Sequence, residues 1–180
     1  MWLLISTSLL GQVGSRYERL STASGLSQSS IYKIIQDKKG FLWFATADGL
    51  NRYDGHNFKI YRNDPSDTST LSGSDVFSIV EDDEGNIWVG TRSSGLNHLD
   101  LQTGKITRFL RGPNGQDISN LNIPSLINLG NHRVGVAALG FGLLVYHTQS
   151  KKLLATESEL KNPLVKEVVR TFKHSNGSIW

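Results

Sequence analysis

One pattern of about 45 residues recurs along the chain, and this repeat limits the folds open to it. Residues 31–54 read IYKIIQDKKGFLWFATADGLNRYD, and residues 76–100 read VFSIVEDDEGNIWVGTRSSGLNHLD. A weaker third copy has Gly142 in the glycine place and Val134 where a tryptophan is expected, and the chain closes on the start of a fourth. The positions that define the repeat are glycines and tryptophans: Gly40, Gly49, Gly85, Gly95, Gly142 and Gly177, with Trp43, Trp88 and Trp180.

Each clear copy divides into four short segments with β-strand character. In the second copy these segments are 76–81, 87–91, 96–101 and 105–110, and polar turns that contain glycine separate them. Four antiparallel strands that repeat at this period are typical of a β-propeller blade, and the tryptophans are expected to pack between neighbouring blades. We therefore predict an all-β fold, a partial β-propeller of four-stranded antiparallel blades.

The repeat also predicts how the chain is organised. Residues 16–180 form the partial propeller, with blades at about 26–61, 72–110 and 118–154 and an incomplete fourth over 164–180. Propellers have about four to eight blades, so we expect this sequence to be a fragment of a longer protein. Residues 1–15 carry no charge and form an apolar lead-in, which indicates either a secretory signal peptide whose basic start is missing or a buried first strand.

Composition excludes several kinds of site. The chain has no cysteine, which rules out disulfides, cysteine-based zinc sites and a thiol nucleophile. Its net charge of +3 is scattered, whereas nucleic-acid-binding proteins concentrate basic residues on one face. The five histidines lack the spacing of a metal site, and the sequence contains no nucleophile elbow. We expect no catalytic residue, no metal, no cofactor and no nucleic-acid partner.

Two stretches carry a family resemblance. Residues 34–46 with 49–55, and residues 79–91 with 95–97, resemble consecutive copies of the two-component regulator propeller repeat. Ala45 stands where that repeat usually has glycine, and the third copy lacks both the tryptophan and the acidic turn.

In that family, such propellers form the extracytoplasmic sensory part of bacterial sensor kinases and diguanylate cyclases. The resemblance therefore implies a periplasmic input module that senses a ligand, often a carbohydrate fragment, and is not itself an enzyme. It also implies a parent chain with further blades, a membrane span and an output domain. The full protein is expected to act as a homodimer.

A ligand site on a propeller is expected where loops converge around the axis. The loops that enter each first strand and the turns that join second to third strands share this face. Polar groups there suit a small-molecule or oligosaccharide ligand, although exposed turns select the same residue types. The candidate ligand-binding residues are Ser29, Ser30, Asp48, Ser74, Asp75, Arg92, Ser93 and Ser94.

Two other functions are compatible with a propeller. The fold is a common platform for protein–protein interaction, and some propellers are lyases or hydrolases that use central carboxylates or histidines. The starts of the first strands hold Ser29, Ser74 and Asn122 instead, which argues against an enzyme. Only the family resemblance favours a sensor over a protein–protein scaffold.

Overall fold

The computed structural model describes residues 17–155, which fold into three four-stranded antiparallel sheets. A short 3-10 turn over Thr22–Ser24 precedes the first sheet. The strands are β1 (Ile31–Gln36), β2 (Leu42–Thr46), β3 (Gly49–Tyr53), β4 (Phe58–Tyr61), β5 (Val76–Glu81), β6 (Ile87–Thr91), β7 (Leu96–Leu99), β8 (Ile106–Phe109), β9 (Ser125–Asn128), β10 (Arg133–Ala138), β11 (Gly142–His147) and β12 (Lys152–Ala155). The predictions for 1–15 and 164–180, which include Gly177 and Trp180, lie outside the described residues.

Each sheet is a meander in which consecutive strands pair, so blade 1 is β1–β4, blade 2 is β5–β8 and blade 3 is β9–β12. Strand β5 contacts β1 on one side and β9 on the other, so the first strands of the blades lie side by side around one axis. The prediction of an all-β propeller built from four-stranded blades is confirmed.

The meander gives the molecule two distinct ends. At the first, which we call the hairpin end, lie the turns between first and second strands and between third and fourth strands. At the opposite end, which we call the loop end, lie the turns between second and third strands and the connections from one blade to the next.

The hydrophobic core lies between the blades. Trp43 of blade 1 belongs to a cluster with Ile79 of blade 2, and Trp88 of blade 2 belongs to one with Leu126 and Tyr146 of blade 3. The two tryptophans are 0% and 1% exposed. Truncating such a side chain to alanine costs about 3–5 kcal/mol. The repeated tryptophans therefore hold neighbouring blades together.

A buried aspartate anchors each tryptophan. Asp37 Oδ2 accepts a hydrogen bond from Trp43 Nε1 at 2.7 Å, and Asp82 Oδ2 accepts one from Trp88 Nε1 at 2.9 Å. The other carboxylate oxygen of each aspartate accepts a backbone N–H from its own hairpin turn. One carboxylate thus fixes both the tight turn and the indole, which ties the turn to the interface between blades.

Blade 3 replaces this pair with residues that cannot form the hydrogen bond. In the β1–β2 turn the N–H of Asp37 donates to the carbonyl of Phe41, and in the β9–β10 turn the N–H of Leu129 donates to the carbonyl of Arg133. Leu129 therefore occupies the aspartate position of blade 3. Gly135 takes the tryptophan position in the strand register, whereas the sequence predicts Val134 there. A Cβ atom on Gly135 would lie 2.8 Å from a methyl group of Ile127, so the packing leaves no room for a larger side chain.

Candidate functional site at the loop end

Two aromatic side chains stand out at the loop end because bulges interrupt the first strands. The pairing of β1 with β2 leaves Tyr32 as an extra residue, and the pairing of β5 with β6 leaves Phe77 as another. A bulge of this kind turns the side chain of the extra residue away from the regular alternation. The two rings meet edge to face, with centroids 5.0 Å apart and planes at 63°.

Arg92 joins these rings to a carboxylate. Its guanidinium carbon lies 4.6 Å from the centroid of Phe77 and 5.1 Å from that of Tyr32, within the range of cation–π contacts. Its Nε donates a hydrogen bond of 2.9 Å to Asp75 Oδ2. The pKa of Arg92 is raised, and the contact with the Tyr32 side chain is the largest cause. Burial acts to lower this pKa, whereas the negative charge of Asp75 raises it further. The guanidinium is therefore fixed in place as a cation.

Two acceptor oxygens in the connections that enter blades 2 and 3 have no hydrogen-bond partner within residues 17–155. Asp75 Oδ1 is buried and unpaired, and so is Asn122 Oδ1. Asp75 and Asn122 hold equivalent positions in blades 2 and 3. The backbone carbonyl of Asp75 accepts the N–H of Arg92, and that of Asn122 accepts the N–H of Leu139 in the same way. A buried acceptor without a donor costs about 1–3 kcal/mol.

Asparagines in the third strands position the segments that lead to this site. Asn51 accepts the N–H of Ser27 and donates to its hydroxyl at 2.9 and 2.8 Å. Asn97 holds Ser72 in the same two ways, also at 2.9 and 2.8 Å. Both asparagines are fully buried, so the entry to each of the first two blades is clamped to the interior of its own sheet.

The structure brings Asp75 and Arg92 together and places the other predicted residues in separate local contacts. Asp48 forms a two-pronged ion pair with Arg62, with N–O distances of 3.0 and 2.8 Å. The N–H of Ser30 donates to Gln28, the hydroxyl of Ser74 accepts from the N–H of Asn63, and the N–H of Ser94 donates to Thr91. Ser29 and Ser93 are exposed. We name the group Tyr32, Asp75, Phe77 and Arg92 the loop-end site.

Tyr32 and Phe77 belong to the loop-end site but are not among the residues predicted from the sequence. Each lies five residues before the repeated aspartate, so an alignment of the two copies places an aromatic ring at the same position of both first strands. This shared aromatic position can be read from the sequence, but the regular alternation of a strand does not show which way a bulged residue points.

No helix within residues 17–155 is long and apolar enough to cross a bilayer. Over the same stretch, no set of three or more histidine or acidic side chains is arranged to hold a metal ion. The loop-end site offers two aromatic rings and an ion pair, Arg92 with Asp75, whose side chains are 44% and 38% exposed.

The architecture defines a β-propeller, and solved structures share it. The extracellular domain of a hybrid two-component system from B. thetaiotaomicron aligns with 91% of this chain, with a TM-score of 0.57 and 22% identity. The extracellular domain of a one-component system from the same organism aligns with 87%, with a TM-score of 0.66 and 25% identity. Virginiamycin B lyase from Staphylococcus aureus shares the fold over 82% of the chain, with a TM-score of 0.58 and 20% identity. The chain covers 28%, 21% and 46% of those three proteins, respectively.

The family model for the two-component regulator propeller matches residues 25–48 and 70–93. One relative, histidine kinase P4 of Formosa agariphila, is 54% identical over 54 residues, which is 30% of this chain and 4% of the kinase. Residues 25–48 and 70–93 thus match two-component regulator propeller repeats, and the fold is like that of extracellular domains of bacterial signalling systems.

Proposed function

We propose that this chain is the ligand-sensing part of an extracytoplasmic propeller in a bacterial membrane signalling protein, and that it is not itself catalytic. The observation that carries the proposal is the loop-end site, where two bulged aromatic residues, Tyr32 and Phe77, surround a fixed cation that is paired with Asp75. The likeness to extracellular domains of two bacterial signalling systems supports it.

The chemistry of the loop-end site suits a neutral carbohydrate fragment. A sugar ring presents C–H groups that pack on the rings of Tyr32 and Phe77. Its hydroxyl groups donate to the carboxylate of Asp75, whose side chain is 38% exposed. The remaining N–H groups of Arg92 donate to ring or hydroxyl oxygens. Recognition then combines ring contact with several hydrogen bonds, and none of these residues needs to take part in a covalent step.

The proposed setting is the periplasmic side of the inner membrane. The partners in the parent chain are further blades, a membrane span and an output domain that is a histidine kinase or a diguanylate cyclase. In a homodimer of such chains, a ligand that binds one arrangement of the propellers more tightly than another shifts the population between them. That shift is the signal carried across the membrane.

Calorimetric titration of the full chain with a panel of neutral mono- and oligosaccharides tests the proposal. We expect at least one to bind saturably, and Phe77→Ala to weaken it by roughly tenfold, which corresponds to about 1.4 kcal/mol. The matched control is His56→Ala, which changes an exposed turn residue at the hairpin end and should leave the affinity unchanged. Failure of every sugar to bind, or equal affinity in Phe77→Ala, would contradict the proposed function.

A further inference from the structure

The connection from blade 2 to blade 3 carries an Asn–Gly dipeptide, Asn114–Gly115, at the loop end. The N–H of Gly115 donates to the carbonyl of Gly112 at 3.0 Å, so Pro113 and Asn114 are the two central residues of a tight turn. Both residues of the dipeptide are exposed. The turn therefore presents the Asn114 side chain to solvent on a short segment that belongs to no strand.

An asparagine side chain can form a five-membered ring with the backbone of the residue that follows it. The next backbone nitrogen, once hydroxide has removed its proton, attacks the side-chain carbon Cγ. The N–Cγ bond forms, the Cγ–Nδ2 bond breaks, and the nitrogen that leaves takes up a proton from water and departs as ammonia. Water then opens the ring at one of its two carbonyl carbons, which gives aspartate or isoaspartate. A following glycine favours the attack because no Cβ atom shields its nitrogen.

Three features of the structure favour this reaction at Asn114. The side-chain amide of Asn114 has no hydrogen-bond partner among residues 17–155, so it can rotate towards the nitrogen of Gly115. A Cβ atom built on Gly115 would meet nothing within 4 Å, so the space around the attacking nitrogen is open. One turn hydrogen bond holds the N–H of Gly115, and opening an exposed turn costs little free energy.

Two Asp–Gly dipeptides in the described part of the chain lack this freedom. Asp48 precedes a glycine but is held by its two-pronged ion pair with Arg62. Asp54 also precedes a glycine, and its carboxylate accepts the N–H groups of Asn57 and His56 at 2.7 and 2.8 Å. These hydrogen bonds lower the pKa of Asp54 and keep it ionised. A carboxylate anion is a poor target for a nucleophile, so the structure singles out Asn114 from these three positions.

The two products would change the connection in different ways. Aspartate adds a negative charge to the turn, and the guanidinium of Arg111, whose Nη1 lies 3.4 Å from the carbonyl of Gly115, is a nearby cation. Isoaspartate adds the same charge and also lengthens the backbone by one methylene group. The N–H of Gly112 donates to the carbonyl of Gln116 at 2.8 Å across this turn, and a longer backbone between them disrupts that hydrogen bond.

We infer that Asn114 is a site of spontaneous deamidation, through which the connection between blades 2 and 3 acquires a carboxylate. The reaction needs only water and hydroxide. It involves no residue of the loop-end site, so the inference is independent of the proposed function.

Incubation of the full chain in buffers from weakly acidic to weakly alkaline pH, followed by mass spectrometry of tryptic peptides, tests the inference. Cleavage after Arg111 and Arg133 puts Asn114 and Asn120 in one peptide. We expect Asn114 to convert to the acid at least about tenfold faster than Asn120, which is also exposed but precedes Leu121. The rate should rise with pH, because the attacking nitrogen must first lose its proton.

Asn114→Gln is the matched control. It keeps a side-chain amide in the same exposed turn, but its cyclisation would need a six-membered ring, so position 114 should stay unmodified over the same period. Conversion of Asn114 no faster than that of Asn120, a rate that does not rise with pH, or equal conversion in Asn114→Gln would each overturn the inference.

Discussion

At the scale of single residues, the buried carboxylates of Asp37 and Asp82 are the feature on which the blades depend. Each accepts an indole N–H and a turn N–H while it is shielded from water, so each replaces the hydration it loses on burial with hydrogen bonds. Removing the acceptor would leave those donors buried and unpaired, which is more costly than the loss of an ordinary surface hydrogen bond.

Asp82→Ala is therefore expected to lower the free energy of unfolding by about 1–3 kcal/mol, because it strands the Trp88 indole and the Asn86 N–H. Urea unfolding followed by tryptophan fluorescence measures this. Lys39→Ala, at an exposed turn position in blade 1, is the control and should stay within about 0.5 kcal/mol of the parent chain. An Asp82→Ala variant as stable as that control would show that the buried carboxylate is not needed.

The same carboxylate predicts a pH dependence. Burial acts to raise the pKa of Asp82. The His98 imidazole, whose Nε2 lies 3.7 Å from Asp82 Oδ2, and hydrogen bonds from the Asn86 N–H and the Trp88 indole together hold that pKa below its usual 3.8. A carboxyl group whose pKa is lowered by folding stabilises the folded state above its unfolded pKa, and that contribution is lost as pH falls through the folded value.

The stability difference between the parent chain and Asp82→Asn should accordingly be largest near neutral pH and shrink as the pH drops below about 4. Urea midpoints at a series of pH values measure it. A difference that stays constant or grows towards acid would contradict the lowered pKa of Asp82.

At the scale of strands and loops, the asparagine clamps determine how firmly the entry segments hold to their blades. Asn97→Ala removes both hydrogen bonds to Ser72 and should speed hydrogen exchange of the Ser72 amide by roughly tenfold or more, the equivalent of at least about 1.4 kcal/mol of local opening. The Ser27 amide, clamped by Asn51 in the neighbouring blade, is the internal control. Equal protection of Ser72 in the variant and the parent would show that Asn97 does not clamp the segment.

The sequence could predict the strands because the period shows directly in the spacing. The observed β5 and β6 begin and end at the predicted residues, and the repeated tryptophans lie between blades. Blade 3 is harder to align because Leu129 and Gly135 retain neither member of the aspartate–tryptophan pair, so only the backbone register locates them.

The loop-end site was only partly predictable for a different reason. Asp75 and Arg92 fall in turns, where polar residues are expected to face solvent, and both belong to the site. Tyr32 and Phe77 are aromatic residues within strands, and the bulges that redirect them are properties of the pairing between strands.

At the scale of the whole molecule, one face of blade 1 is more exposed than the equivalent faces of blades 2 and 3. Ile34 occupies the position that Ile79 holds in blade 2 and Leu126 in blade 3, counted from the hairpin turn. Ile79 and Leu126 are 1% and 6% exposed because each packs on the blade before it, whereas Ile34 is 52% exposed within the described residues. Blade 1 therefore presents a surface shaped to receive another blade.

That surface predicts self-association of the full chain. Sedimentation velocity should show larger species as protein concentration rises, because apolar strand faces of this kind drive association. Ile34→Glu should reduce the association by adding charge to that face. Leu110→Glu adds the same charge to a side chain that is 53% exposed elsewhere, and it should have little effect. A monodisperse monomer at every concentration would contradict the prediction.

The central claim, that this propeller is the input part of a transmembrane signalling protein, is tested most directly by sequencing the parent reading frame on both sides of these 180 codons. The account predicts further copies of the repeat at the same period of about 45 residues, then a membrane span, then a histidine kinase or diguanylate cyclase domain. A reading frame that encodes a protein with neither a membrane span nor an output domain would contradict it.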